Sequence, residues 1–572
     1  MPCAFHLDRP RPFKDLDPGC QFPEASFPQF APDLVGVDDK AWCPFHLPME
    51  SADGAPSPKA DWDKEKVKDF NEAIFAFIDK AKAEDRPADL TGMVFPGYIS
   101  FERYRDETSA LPPVTFFQAQ FSDNASFEKA HFSGRAWFRE AQFDDDANFD
   151  EAQFSGIALF HEARFSGTAG FGRAQFSSDA WFKKAQFGGN ADFEKARFDG
   201  DAWFNEAQFR GDAWFFGAQF GARAWFDEAQ FSDNARFDEA RFSGGAFFIE
   251  AHFGGYADFR EVRFDGDAVF SDATFFENAN FEAAIFSNHA LFNPAFFKKD
   301  ANFAGAAEGI GKPKTIQDLR LKTVPAENGS FDTKGTVSEP PRPPGNLFGQ
   351  ADFSKGEFHA GADFNNRRFA DETLFRGTKF LKKAPKFHNA ILHQDTDFTG
   401  ADFRDRSGEA APAYRTLKLA MGQVRAVDEE AMFYALEMEC RRKRKDTPLS
   451  VKVFSWLYER AADYGRSFMR PFYRLLGFCG VFFLIYLAAF TSNPVPWDIP
   501  IPWDIAAGVG RFTVAQVVRP FSAFTLTEGV TVGSESVEVS FGLACLAAIQ
   551  SVLSLGLIAL FILALRRRFR MG

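Results

Sequence analysis

The stretch FDGDAWFNEAQFRGDAWFFGAQF, residues 198–220, contains one eleven-residue pattern twice. Each copy reads A-x-F-x-x followed by A-x-F-x-x-x, so phenylalanines follow one another at alternating steps of five and six residues. The series runs unbroken from Phe116 to Phe303 and has 35 positions, all of them phenylalanine. Alanine lies two residues before each position except at Val114 and Val262. One architectural rule therefore accounts for 35 of the 76 phenylalanines in this chain of 572 residues.

The spacing favours short strands over a helix. At about 100° per residue, the apolar positions of one repeat would point to about 0°, 40°, 180° and 240° around a helix and would not share a face. In a strand, side chains two residues apart lie on the same side. The intervals between A-x-F units contain Gly, Asp and Asn, as in SDN, DDD and GGN, and these residues favour turns. The pattern predicts a β-solenoid in which each A-x-F forms one straight side.

The alternation of five and six residues predicts four sides per coil. Sides of equal length must stack on each other, which requires an even number of sides, and two sides cannot enclose a core. Four sides give about 22 residues per coil, and about nine coils at about 4.8 Å each would form a rod about 40 Å long. The phenylalanines are expected to point inward and to stabilise the rod by their burial. The predicted core includes Phe121, Phe127, Phe132, Phe138, Phe204, Phe209, Phe215 and Phe220.

This arrangement resembles the pentapeptide-repeat family, in which a bulky apolar residue occupies the centre of each five-residue unit and a small residue lies two positions earlier. The resemblance implies a mainly β fold, a right-handed four-sided β-helix over 93–306. A loop is predicted at 307–347, which contains SEPPRPPGN, and further repeats follow at 348–405. Two features depart from the family pattern: alternate units carry an extra residue, and Phe stands where Leu is common.

Two phrases, CAFHL and CPFHL, each contain Cys-x-x-His within the N-terminal segment 1–60. A structural zinc ion would staple a segment that has little core of its own. The candidate zinc ligands are Cys3, Cys20, Cys43 and His46. The alternative is that the cysteines are reduced thiols, which fits six scattered cysteines in a reducing compartment. Residues 61–92 have helical periodicity and are expected to cap the open end of the solenoid.

The composition changes after the repeats. Residues 411–472 have apolar side chains at helical intervals and are expected to form a helical neck. Two apolar runs, 473–492 and 540–565, are predicted to cross a bilayer as helices. The connection 493–539 is expected outside the cytoplasm or re-entering the membrane, and a basic tail follows at 566–572.

Basic residues determine the predicted orientation. Residues 441–474 include ten basic and three acidic side chains, whereas the connection has only Arg511 and Arg519. By the positive-inside rule, both termini are expected in the cytoplasm. The N-terminus also lacks the apolar core of a signal peptide. We therefore expect a multi-pass protein of the inner membrane, in contact with lipid. The residues expected to set this topology are Arg441, Arg442, Arg474, Arg566, Arg567 and Arg568.

The C-terminal layout, including DYGRS and LALRRRFRM, is similar to that of bacterial pentapeptide-repeat membrane proteins whose two-helix tail resembles ion-channel pore modules. The resemblance implies a homo-oligomer in which 508–530 re-enters the membrane. Gln550, Ser551 and Ser554 are then candidates for a pore-facing strip. The chain lacks TVGYG, the selectivity-filter sequence of potassium channels, and TLTEGVTVG is only a distant match to it. The alternative is that these polar residues hold neighbouring helices together.

The net charge and the absence of common catalytic motifs limit the classes of function that we expect for this protein. A net charge of −14 argues against direct binding to nucleic acid. No P-loop, no GxGxxG motif and no spacing typical of a catalytic triad occurs, so we expect no enzymatic activity and no cofactor other than zinc. The expected role is a membrane-anchored scaffold or sensor whose acidic solenoid binds a protein partner. The alternatives are a subunit of a two-helix ion channel and an acidic mimic of DNA.

Overall fold

The computed structural model divides into two compact units, Met1–Asp405 and Arg406–Gly572. The first unit is a four-sided parallel β-solenoid of about 12 turns, and the second is helical with two long apolar helices. The predicted fold class, a mainly β four-sided solenoid followed by helices, is confirmed. The structure describes residues 35–38, 40–305, 347–490, 503–520, 523, 530–532, 535–537 and 539–569.

Each regular coil contributes one short strand to each of four parallel sheets, which we call faces A, B, C and D in the order in which the chain visits them. The strands of face A are Ala88–Asp89, Val114–Thr115, Ala136–Trp137, Ala158–Leu159, Ala180–Trp181, Ala202–Trp203, Ala224–Trp225, Ala246–Phe247, Ala268–Val269, Ala290–Leu291, Ala351–Asp352, Thr373–Leu374 and Thr396–Asp397. The strands of face B are Val94–Phe95, Gln120–Phe121, Gln142–Phe143, Arg164–Phe165, Gln186–Phe187, Gln208–Phe209, Gln230–Phe231, His252–Phe253, Ala273–Phe275, Ala295–Phe297, Glu357–Phe358, Lys379–Phe380 and Asp402–Phe403.

Faces C and D are shorter. The strands of face C are Ile99–Ser100, Ala125–Ser126, Ala147–Asn148, Ala169–Gly170, Ala191–Asp192, Ala213–Trp214, Ala235–Arg236, Ala257–Asp258, Ala279–Asn280, Ala301–Asn302 and Ala362–Asp363. The strands of face D are His131–Phe132, Gln153–Phe154, Gln175–Phe176, Arg197–Phe198, Gln219–Phe220, Arg241–Phe242, Arg263–Phe264, Ile285–Phe286, Leu347–Phe348 and Arg368–Phe369. Strands of successive coils pair in parallel with equivalent residues opposite each other, as in Ala202 with Ala224.

The short corners of the coil are turns with one residue in the left-handed region. At the corner after Phe204, Glu206 has φ 58° and the N–H of Ala207 donates to the carbonyl of Phe204 at 3.1 Å. Positive φ is uncommon for a residue with a side chain. The N–H of Glu206 donates to the carbonyl of Asp227 in the next coil at 2.8 Å, so coil stacking offsets the local cost.

The phenylalanine rings fill the interior in four stacks. The ring of Phe204 lies 4.8 Å from that of Phe226 in the next coil, and the two planes differ by 2°. The ring of Phe204 also packs edge to face against Phe215, which belongs to the stack of the opposite face, with ring centres 5.5 Å apart. All eight phenylalanines predicted for the core are buried, with at most 1% of their surface exposed. Burial and aromatic stacking therefore act along the whole rod.

The solenoid continues in register on both sides of the predicted loop 307–347, of which all but Leu347 lies outside the described residues. On face D, Phe286 pairs with Phe348, and on face B, Phe297 pairs with Phe358. The resumption of repeats inferred from the sequence thus extends the same stack.

One buried cation lies beside this break. Arg367 occupies the inward position that Ala holds in the regular repeat, two residues before Phe369, and is fully buried. Its guanidinium donates to the carbonyls of Ala284 at 2.5 Å and Phe281 at 2.6 Å, and also to that of Phe303. Burial lowers its pKa to about 9. Arg367 therefore satisfies carbonyl groups of two preceding coils at the point where the regular corner is replaced.

The N-terminal part of the first unit contains a hairpin, Val35–Val37 with Lys40–Trp42, and helix α1, Lys64–Ala83. Asp63 caps α1 by accepting a hydrogen bond from the N–H of Lys66 at 2.8 Å. The apolar side of α1 packs on the first coil, with Phe70 against Phe95 and Phe75 against Phe101. The helix thus covers aromatic rings that have no preceding coil.

The described helices of the second unit are α2 (Ala411–Gln423), α3 (Val427–Lys443), α4 (Leu449–Ala462), α5 (Met469–Phe490), α6 (Trp503–Val518) and α7 (Phe541–Phe569). Short 3-10 turns lie at Glu102–Tyr104 in the first unit and at Gly408–Ala410 and Asp463–Gly465 in the second. A second hairpin pairs Val530–Val532 with Glu535–Val537.

The described helices add detail to three predicted segments. The helical neck predicted over 411–472 contains α2, α3 and α4, because the chain leaves the helical conformation at Arg425, which has φ 62°, and at Arg444, which is extended. The first apolar helix starts at Met469, whereas the apolar run in the sequence starts at 473. The first turns of the helix include basic residues, which a search for apolar residues leaves out. The predicted connection 493–539 contains α6. Two helices, Met469–Phe490 and Phe541–Arg566, are long and apolar enough to cross a membrane.

Candidate functional site

The middle residue of each A-x-F unit points out of the solenoid, and every fourth unit contributes to the same face. Face A carries a row of large apolar side chains, which we call the aromatic ladder: Trp137, Leu159, Trp181, Trp203, Trp225 and Phe247. The rings of Trp203 and Trp225 lie 5.3 Å apart with planes at 10°, and those of Trp225 and Phe247 lie 4.1 Å apart. Trp137 is buried, and the other five side chains of the ladder are half-buried.

The ladder contains indole groups that have not found an acceptor. Within the described residues, the Nε1 atoms of Trp181, Trp203 and Trp225 are buried and have no hydrogen-bond partner. A buried tryptophan N–H usually has an acceptor. Half-buried tryptophans are also typical of protein-binding surfaces. The aromatic ladder is therefore the feature of the solenoid exterior that best fits a protein interface.

A polar groove of about 830 Å³ runs along the corner between faces A and B, beside the ladder. Its carboxylates come from the left-handed corner positions Glu140, Glu162, Glu206, Glu228 and Glu250. Its amides come from face B and include Gln142, Gln186, Gln208 and Gln230. The basic side chains that line this groove are Arg164, Lys184 and His252.

One carboxylate of the groove, that of Glu206, has a lowered pKa. Partial burial alone would raise the pKa of Glu206, but hydrogen bonds from Lys183 and Lys184, each 3.3 Å away, outweigh it and lower the pKa. Glu228 and Glu250 are exposed at the far end. Arg139 pairs with Glu140 and Glu162, so the carboxylates of Glu228 and Glu250 are the ones most open to a cationic surface, next to an apolar strip.

The other two faces differ in chemistry. Face C presents Asn148, Asp192, Arg236, Asp258 and Asn280, and burial raises the pKa of Asp192. Face D presents glutamines together with the arginines Arg197, Arg241, Arg263 and Arg368. The negative charge is thus concentrated at particular corners and rows of the solenoid.

The structure brings together two of the four predicted zinc ligands. The Sγ atom of Cys43 lies 3.2 Å from Nδ1 of His46, and Nε2 of His46 donates to the carbonyl of Thr91 at 3.1 Å. A carbonyl on the second ring nitrogen is the usual support of a metal-bound imidazole. Cys3 and Cys20 lie outside the described residues. Among the residues with described positions, no group of three His, Cys, Asp or Glu side chains could hold a metal ion.

The three predicted pore residues are buried against α6. The Nε2 atom of Gln550 donates to the carbonyl of Thr513 at 3.0 Å, and the Oγ atom of Ser551 donates to that of Gln516 at 3.0 Å. The hydroxyl of Tyr486 in α5 donates to Oε1 of Gln550 at 2.8 Å. Ser554 is also buried, and its Oγ has no partner within the described residues. These side chains therefore join α5, α6 and α7 within one chain.

The residues predicted to set the topology lie at helix ends. Arg441 bonds Glu437 at 2.7 Å and Arg442 bonds Glu459, both from the last turn of α3. Arg474 lies in the second turn of α5, and Arg566 is exposed near the end of α7. The side chains of Arg567 and Arg568 lie outside the described residues.

Sequence reasoning missed the aromatic ladder, although a signal was present. Apart from one copy at 213–215 on face C, the phrase AWF occurs at 136–138, 180–182, 202–204 and 224–226, at multiples of the 22-residue coil. Reading the middle residue of every fourth A-x-F unit would have placed these tryptophans on one face. The packing of α6 between the apolar helices had no comparable signal, since it depends on long-range contacts.

A family model described as pentapeptide repeats (9 copies) matches residues 116–161, 149–197, 193–238 and 226–274. No curated protein and no solved structure matches the chain. The matched residues lie within the solenoid and show the A-x-F register that forms its four faces. The chain therefore carries a pentapeptide-repeat β-solenoid.

Proposed function

We propose that this protein is a membrane-anchored, non-catalytic scaffold whose solenoid binds a protein partner. The partner would place apolar side chains against the aromatic ladder and basic side chains in the polar groove. The anchor would be α5 and α7 in the inner membrane, with both termini in the cytoplasm. Zinc bound through Cys43 and His46, with Cys3 and Cys20 as the other two ligands, would stiffen the N-terminal segment without taking part in partner binding.

The observation that carries this proposal is the adjacency of the aromatic ladder and the polar groove. Both extend over the same coils, from Trp137 and Glu140 to Phe247 and Glu250. Half-buried aromatic side chains can supply affinity, and a row of carboxylates can steer a cationic partner. A surface that served only to cover the core would not need both features on the same coils.

The apolar helices support the anchoring part of the proposal. Within the 18-residue apolar stretch of each helix, only 17% of α5 and 28% of α7 is buried by the rest of the chain. Leu484 of α5 and Val552 of α7 are among the large apolar side chains left exposed. Exposed apolar surface on this scale would be unfavourable in water and suits the hydrocarbon of a bilayer.

Site-specific photo-crosslinking in cells would test the scaffold function. A photoreactive amino acid at Trp203 should capture one protein species, while the same group at Asn280 on the opposite face C should not. The double variant Glu228→Lys, Glu250→Lys should abolish capture at Trp203, and Glu261→Lys at the other short corner should leave it intact. Equal capture from both faces, or capture insensitive to the groove charges, would contradict the proposal.

A second candidate function, a subunit of an oligomeric two-helix ion channel, is favoured by the position of α6. This short helix contacts both α5 and α7 and is hydrogen-bonded to Gln550 and Ser551, as a re-entrant segment would be. The same contacts would also serve a simple anchor. We do not favour DNA mimicry, because arginines interrupt the acidic surface on faces C and D.

The oligomeric state in detergent separates these two functions. A monomer would exclude a pore built from two helices per subunit, whereas a tetramer would call for flux measurements on reconstituted protein. Ion flux that is lost on Gln550→Leu would favour the channel over the scaffold.

A further inference from the structure

Helix α4 shows the reverse of the burial pattern expected for a helix in water. Its outward side carries large apolar side chains: Leu449 is 76% exposed, Phe454 71% and Trp456 49%. Val453 and Leu457 lie on the same side and are also exposed. A helix at a protein surface normally turns such residues inward and its polar residues outward.

The side of α4 that faces the rest of the unit is polar. The Oγ atom of Ser455 lies 2.9 Å from the hydroxyl of Tyr464, and Glu459 pairs with Arg442 of α3. Tyr464 is buried beneath the helix. The polar groups of α4 are thus used for internal contacts, and its exterior is suited to an apolar medium.

We propose that α4 is an interfacial helix that lies on the cytoplasmic leaflet and inserts Phe454, Trp456 and Leu457 between anionic lipids. This inference rests on the proposed anchoring by α5 and α7. Six residues separate Ala462 from Met469, so the end of α4 lies within about 25 Å of the start of α5. Helix α4 also contacts both α5 and α7.

The charges around α4 select anionic lipid as its ligand. Residues 441–474 carry ten basic and three acidic side chains, a net charge of +7 from ten minus three, of which +5 remains once Arg441 and Lys443 are paired with Glu437 and Glu439 outside this range. Lys445 is exposed just before the helix, and the guanidinium of Arg460 lies 5.9 Å from the ring centre of Trp456. Basic side chains beside a strip of aromatic and aliphatic residues are typical of helices that bind anionic membrane surfaces.

Depth-dependent fluorescence quenching on the full chain in vesicles would test this placement. A fluorescent amino acid is introduced at Phe454, at Leu484 of α5 or at Leu419 of α2, each in a separate protein. The vesicles contain phosphatidylcholine with or without phosphatidylglycerol, and the quenchers are lipids with a nitroxide near the headgroup or deep in the acyl chain. Leu484 reports anchoring, and Leu419 is a matched apolar position that should face water.

We expect the headgroup quencher to reduce the fluorescence of the label at position 454, and to reduce it more in vesicles that contain phosphatidylglycerol. The deep quencher should reduce the fluorescence of the label at position 484. A Phe454 label that behaves like Leu419 while Leu484 is quenched would overturn the interfacial helix and leave the anchoring intact. A Leu484 label that no lipid quenches would overturn the anchoring itself. A Phe454 label shielded from both lipid and aqueous quenchers would show that protein, such as a second copy, covers α4, and would also overturn the proposal.

Discussion

The interior of the solenoid is specified one side chain at a time. Phe204 stacks on Phe182 and Phe226, each with ring centres at 4.8 Å, and meets Phe193 and Phe215 edge to face. Every inward phenylalanine of the regular repeats has equivalent neighbours, so one packing solution recurs in each coil. Because a close-packed interior cannot relax fully around a missing ring, each position is sensitive to truncation.

Phe204→Ala is therefore expected to lower the free energy of unfolding by about 3–5 kcal/mol, from lost burial and the cavity left behind. Urea denaturation followed by circular dichroism would measure the change. Phe216→Ala, which removes the same ring from the half-buried exterior of a corner, is the matched control and should cost much less. Equal losses in the two variants would contradict the assignment of Phe204 to the core.

Arg367 is the exception among the inward positions. Arg367→Ala should destabilise the chain by about 3–5 kcal/mol, because three carbonyl groups would lose a charged donor and only that of Phe281 would keep a described one, the N–H of Ala284. Arg367→Lys should rescue little, since a single ammonium cannot reproduce the planar fork of the guanidinium. The neighbouring Arg368 points outward on face D, so Arg368→Ala should have a small effect in the same urea titration. Insensitivity at position 367 would show that the carbonyl groups are satisfied in another way.

At the scale of elements, short strands and helices are held by contacts that their own sequences do not contain. A two-residue strand has no stability alone, and each one pairs with strands about 22 residues away. Helices α2 and α3 are joined by Glu437, which is fully buried and pairs with Arg415 at 2.9 Å, Lys418 at 2.6 Å and Arg441 at 2.7 Å. Such a buried carboxylate stabilises the pair of helices only while it is ionised.

Burial alone would raise the pKa of Glu437, but hydrogen bonds from Lys418 and Arg415 outweigh it and hold the pKa below its ordinary value of 4.5. A lowered pKa in the folded state contributes stability above about pH 4.5 that is lost as the pH falls through the folded value. The urea midpoint of the helical circular-dichroism signal should therefore fall with acid in this range.

Glu437→Gln should lower that midpoint at neutral pH, corresponding to a loss of about 3–5 kcal/mol, and should weaken its acid dependence. Glu409→Gln is the control, because Glu409 is exposed. An unchanged acid dependence in Glu437→Gln would show that other groups control it.

At the scale of the whole molecule, the solenoid is one continuous stack that tolerates an insertion at a corner. Residues Phe286 and Phe348 pair directly although the intervening chain is far longer than one coil. Loops at corners cost little because only their closure entropy is added. The pairing of strands between coils thus determines the position of each face, and an inserted segment at a corner does not change it.

Deletion of 307–346 would join Ala306 to Leu347 and produce FAGALF, which fits the F-x-x-A-x-F corner of the regular repeat. The shortened chain is expected to keep its β-sheet circular-dichroism signal and its urea midpoint, because the paired strands on both sides are unchanged. A control deletion of 205–209, which removes one five-residue side and places sides of six residues against sides of five in all later coils, should lower the urea midpoint. Loss of the β signal on deletion of 307–346 would show that the insertion is needed for the stack.

Much of the fold could be predicted because the Phe and Ala repeat is strictly local and periodic. The A-x-F spacing predicted strands, the five–six alternation predicted four sides, and both follow from geometry within one coil. The candidate interface was harder to predict from the sequence, because the aromatic ladder combines residues that are 22 positions apart. The division of the helical neck into α2, α3 and α4 was not predicted, because the break at Arg425 depends on a backbone conformation, φ 62°, that its residue type does not indicate.

By itself, the sequence determined the inward half of this protein: which side chains are buried, how many sides enclose them and which two helices are apolar enough for a bilayer. Only the tertiary structure decided the outward half. It placed the tryptophans of face A beside the carboxylates of the first corner, put Arg367 inside and turned the apolar side of α4 outward. The physical reason is that burial of a periodic apolar residue is decided by local spacing, whereas neighbouring residues on a surface depend on how separate coils and helices stack.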